Sequence, residues 1–246
     1  MVDARMRRQG DTAILFDAGV APQVEACWFD PGWWQAAGRL RVRQGGRGAI
    51  GFLDTPAGPL VLRHFRRGGA LARLLGDRYL WLGLERSRGF REFRLLAALR
   101  GRGLPVPMPV AAHCRHRGLV FYTADLLTRE LPAAETLAER VGAERATRED
   151  AAAVGALLAR FHAAGVYHAD LNAHNIVWSG EGMHLLDFDR GRLRRPARGW
   201  QLANLARLRR SLLKLGTGER SGGGDRFERE IWAPLLAAYA AGMASA

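Results

Sequence analysis

A short polar segment between an apolar helix and an apolar strand constrains the fold of this chain more than any other feature. Residues 167–178 read YHADLNAHNIVW, which places His168, Asp170 and Asn175 in the pattern HxDxxxxN. Asp187, in LLDFD, follows Asn175 twelve residues later. Side chains of these types at this spacing predict a loop that holds an imidazole, an amide and two carboxylates in a fixed order.

The segments on either side of the loop predict its supports. TREDAAAVGALLARFHAAG predicts a helix, because Thr147 and Asp150 form a capping box and Gly165 ends it. Its apolar face comprises Val154, Leu157, Leu158 and Phe161. After the loop, HNIVW and MHLLDF predict two short strands joined by the turn SGEG.

The first half of the chain is predicted to be rich in strands. From Leu40 to Phe65 the pattern indicates a strand, a glycine loop, a strand, a turn at TPAGP and a third strand. SRGFREFRLLAALRGRG predicts a helix, LPVPMP breaks it, and GLVFYTADLL predicts another strand. We interpret residues 1–40 as a packing segment. After Gln201 the chain is predicted to be helical, with one leucine-rich side comprising Leu202, Leu205, Leu208, Leu212 and Leu215.

This order predicts an α+β, bilobal, protein-kinase-like fold. Residues 1–131 would form an N-lobe with the N-terminal segment, the glycine loop, a nucleotide-binding sheet and one helix. Residues 132–246 would form a mostly helical C-lobe with the catalytic loop, a metal site and the acceptor-binding surface.

Composition narrows the class of protein. The 246 residues carry 37 basic and 24 acidic side chains, a net charge of +13, and Lys214 is the only lysine. The excess arginine reflects either the composition of an arginine-rich genome or an anionic partner such as nucleic acid, acidic lipid or a phosphorylated substrate. Without a long apolar run or a signal peptide, we expect a cytoplasmic protein. Cys27 and Cys114 lack the spacing of a disulfide framework or a zinc site.

A glycine pattern in the strand-rich part indicates phosphate binding. Gly46, Gly48 and Gly51 form GxGxxG. A strand follows instead of the helix that a dinucleotide-binding fold requires, so the context fits a glycine loop over nucleotide phosphates. The alternative is a flexible glycine turn.

Arg63 occupies the position at which kinases carry their phosphate-anchoring lysine. Glu92, on the next helix, lies in register with Leu95, Leu96 and Leu99. A carboxylate on an apolar stripe is costly unless it is paired, so we predict an ion pair between Arg63 and Glu92. The alternative is a solvated Glu92 at the margin of the stripe.

Together these motifs predict ATP-dependent phosphoryl transfer. Asp170 can accept a hydroxyl proton or orient the hydroxyl, and Asn175 and Asp187 are hard oxygen ligands for Mg²⁺. We expect His168 to brace the loop, and His174 either faces the acceptor or is an ordinary loop residue. Asn172 stands where protein kinases carry lysine, DFD replaces DFG and no APE motif follows. A small-molecule or glycolipid acceptor is therefore favoured over a protein.

The segments HADLNAHN, LLDFDRGR, VLRHFRRGG, LPVPMP and WQLANLARLRRS resemble the lipopolysaccharide kinase family, in particular its kinases of 3-deoxy-D-manno-octulosonic acid (Kdo). The resemblance extends from about Gly45 to Leu213. It implies a kinase-like fold, ATP and Mg²⁺ as cofactors, and phosphorylation of the 4-hydroxyl of Kdo on Kdo-lipid A, with Asp170 as the catalytic residue. It also implies a peripheral protein at the cytoplasmic face of the bacterial inner membrane.

The remaining expectations concern ligand contacts. Thr128, Glu130 and Leu131 fall at the expected adenine hinge. The basic side chains of Arg66, Arg67, Arg190 and Arg192 could clamp the anions of the acceptor, although for any single one of them a solvated position is favoured. We expect an anionic membrane surface as a partner, and neither nucleic acid nor another protein.

Two other classes of function remain open at this point. One is a kinase-like enzyme that acts on heptose, an antibiotic or a protein. The other is a non-catalytic module whose basic face binds nucleic acid or membrane.

Overall fold

The computed structural model describes residues 2–45, 48–66, 76–217 and 223–245. The chain forms two compact units. The first unit comprises Met1–Gly103 and Pro107–Glu130, and the second comprises Leu104–Val106 and Leu131–Ala246.

An antiparallel sheet dominates the first unit. Its strands are β1 (Ala4–Gln9), β2 (Thr12–Asp17), β3 (Leu40–Gly45), β4 (Gly48–Thr55), β5 (Gly58–His64), β6 (Tyr79–Leu80), β7 (Pro109–Arg117) and β8 (Phe121–Arg129). The order across the sheet is β1-β2-β7-β8-β5-β4-β3, and β6 also pairs with β8. Residues 1–40 thus extend the sheet by two strands at one edge. They also contribute Trp28, Phe29 and Trp34 to its core, as a packing segment should.

Among its described residues, the first unit has two helices. The unit contains α1 (Pro31–Ala36), α2 (Arg88–Gly101) and short 3-10 turns at Ala26–Phe29 and Leu84–Arg86. The buried face of α2 includes Phe90, Phe93, Leu96 and Leu99. A Cβ at Gly89 would lie 2.8 Å from the carbonyl oxygen of Asp125 on β8, so the helix approaches the strand backbone closely.

The second unit is mostly helical. Its helices are α3 (Leu137–Gly142), α4 (Arg148–Ala163), α5 (Arg198–Leu212), α6 (Gly223–Phe227) and α7 (Ala233–Ala244), with a 3-10 turn at Ala173–Asn175 and π-helical turns at Leu213–Thr217 and Glu228–Trp232. Its short strands are β9 (Glu135–Thr136), β10 (Val166–Tyr167), β11 (Ile176–Ser179), β12 (Gly182–Leu185) and β13 (Arg192–Leu193).

Close packing of α4 on α7 forms the centre of this unit. A Cβ at Gly155 would lie 2.1 Å from the carbonyl oxygen of Leu235, so only glycine allows this approach. Helix α4 begins at the predicted capping box, in which Thr147 and Asp150 each accept a hydrogen bond from the other's backbone N–H.

The predicted α+β class is confirmed, with strands concentrated in the first unit and helices in the second. The hairpin of β11 and β12 is confirmed as well. Strand β7 was not predicted, and Leu202 is half exposed whereas Leu205, Leu208 and Leu212 are buried. No helix among the described residues is long and apolar enough to cross a membrane.

Candidate active site

The predicted catalytic loop lies in the second unit between β10 and β11, and His168 holds it from inside. The imidazole is buried, donates from Nε2 to the carbonyl of Leu186 at 2.8 Å, and accepts at Nδ1 from the backbone N–H of Asp170 at 3.2 Å. Its ring also packs edge-on against Phe188. These contacts join the loop to the strand that leads to Asp187, which is the geometry of a brace.

The environment of His168 favours the neutral imidazole. Burial lowers the pKa of this histidine, and the hydrogen bond to the Leu186 carbonyl opposes that effect only in part. The Asp170 N–H needs an unprotonated Nδ1, so the neutral form with hydrogen on Nε2 satisfies both contacts.

Two asparagine amides close the loop around the backbone of Asp170. Both Asn172 and Asn175 donate from Nδ2 to the Asp170 carbonyl, at 3.0 and 2.9 Å. Asn172 also accepts from the backbone N–H of His174 and so caps the short turn Ala173–Asn175. The side chain of Asp170 is 34% exposed, whereas its backbone is fixed. The loop therefore presents a carboxylate from a rigid backbone, and the side chain of His174 is exposed.

Asn175 directly precedes β11 and Asp187 follows β12 by two residues, so both lie at the same end of the β11–β12 hairpin. Ile176 pairs with Leu185, and the N–H of Leu186 donates to the carbonyl of Asn175 at 2.8 Å. Asp187 has a positive φ of 57°, a backbone conformation that non-glycine residues rarely adopt. Such strained residues concentrate at functional sites.

The donor atoms of this pair fit Mg²⁺. The Nδ2 of Asn175 is used by Asp170, so Oδ1 is the atom left to face a cation, and Asp187 supplies a carboxylate. Mg²⁺ is commonly held by one or two carboxylates together with substrate phosphates. Among the described residues, no group of three His, Cys, Asp or Glu side chains is arranged to bind a metal.

A polar stripe on α5 supports the loop, and the sequence analysis did not find it. Asn204 exchanges two hydrogen bonds with the backbone of His168, at 3.2 and 3.0 Å. Arg207 places Nη1 3.6 Å from Oδ1 of Asp170, and Ser211 accepts from the N–H of Ala173 at 3.1 Å. The positions i, i+3 and i+7 lie on one face of a helix. This spacing is visible in NLARLRRS, but the leucines beside it form the stronger helical pattern.

In the first unit, the structure confirms the predicted ion pair between Arg63 and Glu92. Arg63 belongs to β5 and Glu92 to α2, where the carboxylate is only 3% exposed. The Arg63 guanidinium also lies over the ring of Phe65, 4.7 Å from its centroid. Glu92 is thus a buried, paired side chain and not a solvated one.

Two of the three glycine positions, Gly48 and Gly51, lie on β4. Gly48 pairs with Gly45, and Gly51 pairs with Val42 and Leu62. A Cβ at Gly51 would lie 3.2 Å from Cδ1 of Leu40. Gly46 lies outside the described residues.

The expected hinge segment begins at the end of β8 and continues beyond it. Thr128 pairs with Val61 and Pro109, and the N–H of Glu130 donates to the carbonyl of Pro59 at 3.0 Å. The Glu130 carboxylate accepts from Arg41 at 2.8 Å. Leu131 begins the long segment of the second unit.

The arginines expected at the acceptor have different settings. Arg66 and Arg190 are exposed, and Arg190 has a positive φ of 60°. Arg192 is exposed on β13 opposite Tyr167. Arg67 lies outside the described residues.

A second cluster, in the first unit, also escaped the sequence analysis. Asp125 is buried and accepts from Nδ1 of His64 at 2.5 Å and from Nδ1 of His113 at 3.0 Å. Burial raises the pKa of Asp125, but the hydrogen bonds from the two histidines outweigh burial and the pKa is lowered. The hydrogen bond to Asp125 correspondingly raises the pKa of His64. The three residues lie on three different strands, so no local pattern indicates them.

With this geometry established, comparison with known proteins gives the family. The model of the lipopolysaccharide kinase (Kdo/WaaP) family matches residues 32–239. The chain belongs to this family. All the motifs described above fall within the matched range.

Members of the lipopolysaccharide kinase family from three bacterial genera are close in sequence. The 3-deoxy-D-manno-octulosonic acid kinase of Stenotrophomonas maltophilia (strain K279a) is 48% identical over 87% of this chain and 84% of its own. The enzyme of the same name from Xanthomonas campestris pv. campestris (strain B100) is 50% identical over 84% and 82%. That of Xylella fastidiosa (strain 9a5c) is 49% identical over 85% and 83%.

A solved structure of WaaP in complex with acyl carrier protein has a TM-score of 0.46 and 20% sequence identity, over 86% of this chain and 91% of that chain.

Proposed function

We propose that this lipopolysaccharide kinase transfers the γ-phosphoryl group of ATP to the 4-hydroxyl of Kdo on Kdo-lipid A. The observation that carries the proposal is the braced loop around Asp170. Asn175 donates to the backbone carbonyl of Asp170, and His168 joins the loop to the carbonyl of Leu186, the residue before Asp187. The acceptor follows from the relatives named Kdo kinase, which are about 50% identical over most of the chain.

In the proposed reaction, Asp170 contacts the acceptor hydroxyl. Its carboxylate orients the hydroxyl oxygen toward the γ-phosphorus and accepts the proton as the new P–O bond forms and ADP leaves. The contacts of its backbone with His168, Asn172 and Asn175 keep the carboxylate in place. Fixed positioning of this kind contributes much of the rate in phosphoryl transfer.

Asn175 and Asp187 would hold Mg²⁺ through one amide oxygen and one carboxylate. When bound, the ion would neutralise charge on the phosphates of the nucleotide. Asp187 has a left-handed backbone conformation just after the end of β12. It directly follows Leu186, whose carbonyl accepts the hydrogen bond from His168.

The first unit would bind the nucleotide. Arg63 would contact its phosphates, and Glu92 would hold the guanidinium in that position. The glycine pattern of Gly46, Gly48 and Gly51 would contact the phosphates, and the backbone of 128–131 would contact the adenine. An arginine in place of lysine keeps its charge at any physiological pH and offers a planar fork to phosphate oxygens.

The charge of the protein supports a peripheral position at the cytoplasmic face of the inner membrane. A net charge of +13, nearly all from arginine, would be attracted to anionic lipid. Arg66, Arg67, Arg190 and Arg192 would contact the phosphates and carboxylates of the glycolipid.

Mass spectrometry of Kdo-lipid A incubated with the protein, ATP and Mg²⁺ tests the function. We expect a gain of one phosphate, and phosphorus–proton correlation NMR of the product should place it on O4 of Kdo. Asp170→Asn should lower the rate about 10² to 10⁴-fold, the usual contribution of a general base. Glu181→Gln, an exposed carboxylate in the turn between β11 and β12, is the matched control and should remain active.

Three results would contradict the proposal in different ways. ATP binding without phosphorylated Kdo-lipid A would indicate another acceptor, such as heptose. Failure to bind ATP would refute the kinase mechanism, and full activity of Asp170→Asn would remove this residue from the reaction.

A further inference from the structure

Arg207 is an exposed cation directly beside the proposed catalytic carboxylate. It lies on α5, its side chain is 45% exposed, and Nη1 is 3.6 Å from Oδ1 of Asp170. A strong hydrogen bond between guanidinium and carboxylate has a length of about 2.7–2.9 Å, so this contact is a loose one.

The structural contribution of Arg207 is small compared with that of its neighbours. One turn before it, buried Asn204 holds His168 through two hydrogen bonds, and one turn after it Ser211 holds Ala173. These two residues already attach α5 to the loop. An exposed ion pair adds only about 0–1 kcal/mol to stability.

The chemistry of Arg207 therefore points to a ligand. A guanidinium has five N–H donors in a planar fork, so it can face Asp170 through one nitrogen and bind another anion through the others. Because Asp170 is the residue that would contact the acceptor hydroxyl, an anionic group of the acceptor near that hydroxyl would lie within reach of Arg207.

We propose that Arg207 determines acceptor specificity by binding the sugar carboxylate of Kdo beside Asp170. This inference rests on the proposed function. Kdo is an acid, and its carboxylate is attached to the same sugar ring as the hydroxyl to be phosphorylated. Binding of that carboxylate by Arg207 and of the hydroxyl by Asp170 would fix the ring at two points. A neutral sugar would lack the first of these contacts.

The test compares two acceptors that differ only in this group. Kdo-lipid A and its Kdo-carboxamide analogue are each phosphorylated by the wild type and by Arg207→Gln, and kcat and KM are measured separately. We expect Arg207→Gln to lose about 10- to 100-fold in kcat/KM with the acid, the range for a hydrogen bond to a charged group, and less than about threefold with the amide. Arg207→Lys should recover part of the loss with the acid.

Arg198→Gln is the matched control. Arg198 is an exposed arginine on the same helix, nine residues earlier, so it lies on the opposite face and about 13.5 Å away along the axis. The kcat/KM of the Arg198→Gln variant should remain within about twofold of the wild-type value with both acceptors. Thermal unfolding of each variant identifies any loss of folded enzyme.

Failure of this inference is distinguishable from failure of the proposed function. One result overturns the inference alone: the wild type phosphorylates Kdo-lipid A, and Arg207→Gln lowers kcat/KM by the same factor with the acid and with the amide. Arg207 would then act through Asp170 or the γ-phosphate. Unchanged kinetics of Arg207→Gln would also overturn it. If the wild type binds ATP but phosphorylates neither acceptor, the function itself is refuted, and the inference with it.

Discussion

The ion pair between Arg63 and Glu92 allows a structural role to be separated from a role in nucleotide binding. Glu92 is 3% exposed on the apolar face of α2, and the partly buried Arg63 guanidinium contacts it from β5. Arg63→Met removes the charge but keeps a long side chain over Phe65. Because the Glu92 carboxylate then loses its cation in a buried setting, we expect the free energy of unfolding to fall by about 3 to 5 kcal/mol.

The double variant Arg63→Met, Glu92→Leu should recover most of that stability. Replacement of both members of a buried pair by apolar residues of similar volume is often neutral, because two desolvation costs disappear together with one attraction. Urea denaturation of the wild type, the two single variants and the double variant gives the coupling free energy, which should be at least about 2 kcal/mol. Arg41→Met is the comparison, since it breaks the ion pair between Glu130 and an arginine side chain that is 66% exposed. It should lower the free energy of unfolding by no more than about 1 kcal/mol.

Nucleotide kinetics of the same proteins complete the experiment. If Arg63 contacts phosphate, the double variant should still have a KM for ATP that is raised about tenfold or more, although its stability is restored. The reason is that one charge-assisted contact is worth about 1.5–3 kcal/mol. A double variant with both normal stability and normal ATP kinetics would show that Arg63 serves only the fold. A coupling free energy near zero would refute the argument from burial.

Two further predictions concern the second unit. Gly155→Ala should destabilise by about 2 kcal/mol or more in urea unfolding, because its Cβ would lie 2.1 Å from the Leu235 carbonyl oxygen. Gly142→Ala, with no atom within 4 Å of its Cβ, should be neutral or up to about 1 kcal/mol more stable, and equal effects would contradict the close approach of α4 and α7. Burial lowers the pKa of His162 from 6.5 to about 4. Between these two pH values this histidine is therefore protonated in the unfolded protein but neutral in the folded protein. About 3 kcal/mol of stability should therefore be present above pH 6.5 and lost as the pH falls to 4, and His162→Gln should lack that part of the pH dependence.

The features that the sequence predicted are those with a local pattern. The capping box of α4 spans only the four residues from Thr147 to Asp150, and the β11–β12 hairpin is marked by a four-residue turn. The pairing of Arg63 with Glu92 is a long-range contact, but it could be predicted because a carboxylate on an apolar helical stripe requires a partner. In each case a rule of short range or a strong energetic demand limits the possibilities.

The features that were missed depend on tertiary placement. Strand β7 was overlooked because its segment VAAHCRHR alternates poorly and follows a proline-rich stretch, yet it is central to the sheet and its first six residues are buried. Asp125, His64 and His113 meet only because β7, β8 and β5 lie side by side. Leu202 continued the leucine pattern of α5, but the helix buries only one narrow stripe at that end.

The catalytic loop shows why a motif alone underestimates an active site. Its motif residues lie within a few positions of one another, but their geometry depends on Asn204, Ser211 and the carbonyl of Leu186. Each of these hydrogen bonds is worth only about 1 kcal/mol by itself. Because they converge on the backbone at residues 168–173, they restrict the same few torsion angles, and the loop cannot move without breaking several of them at once. Arg207 differs from these residues, since it lies on the same stripe of α5 but contacts the partly exposed side chain of Asp170. This face of α5 thus has two residues that hold the loop backbone and one exposed cation between them. Support of the loop explains the first two residues, and recognition of an anionic acceptor explains the third.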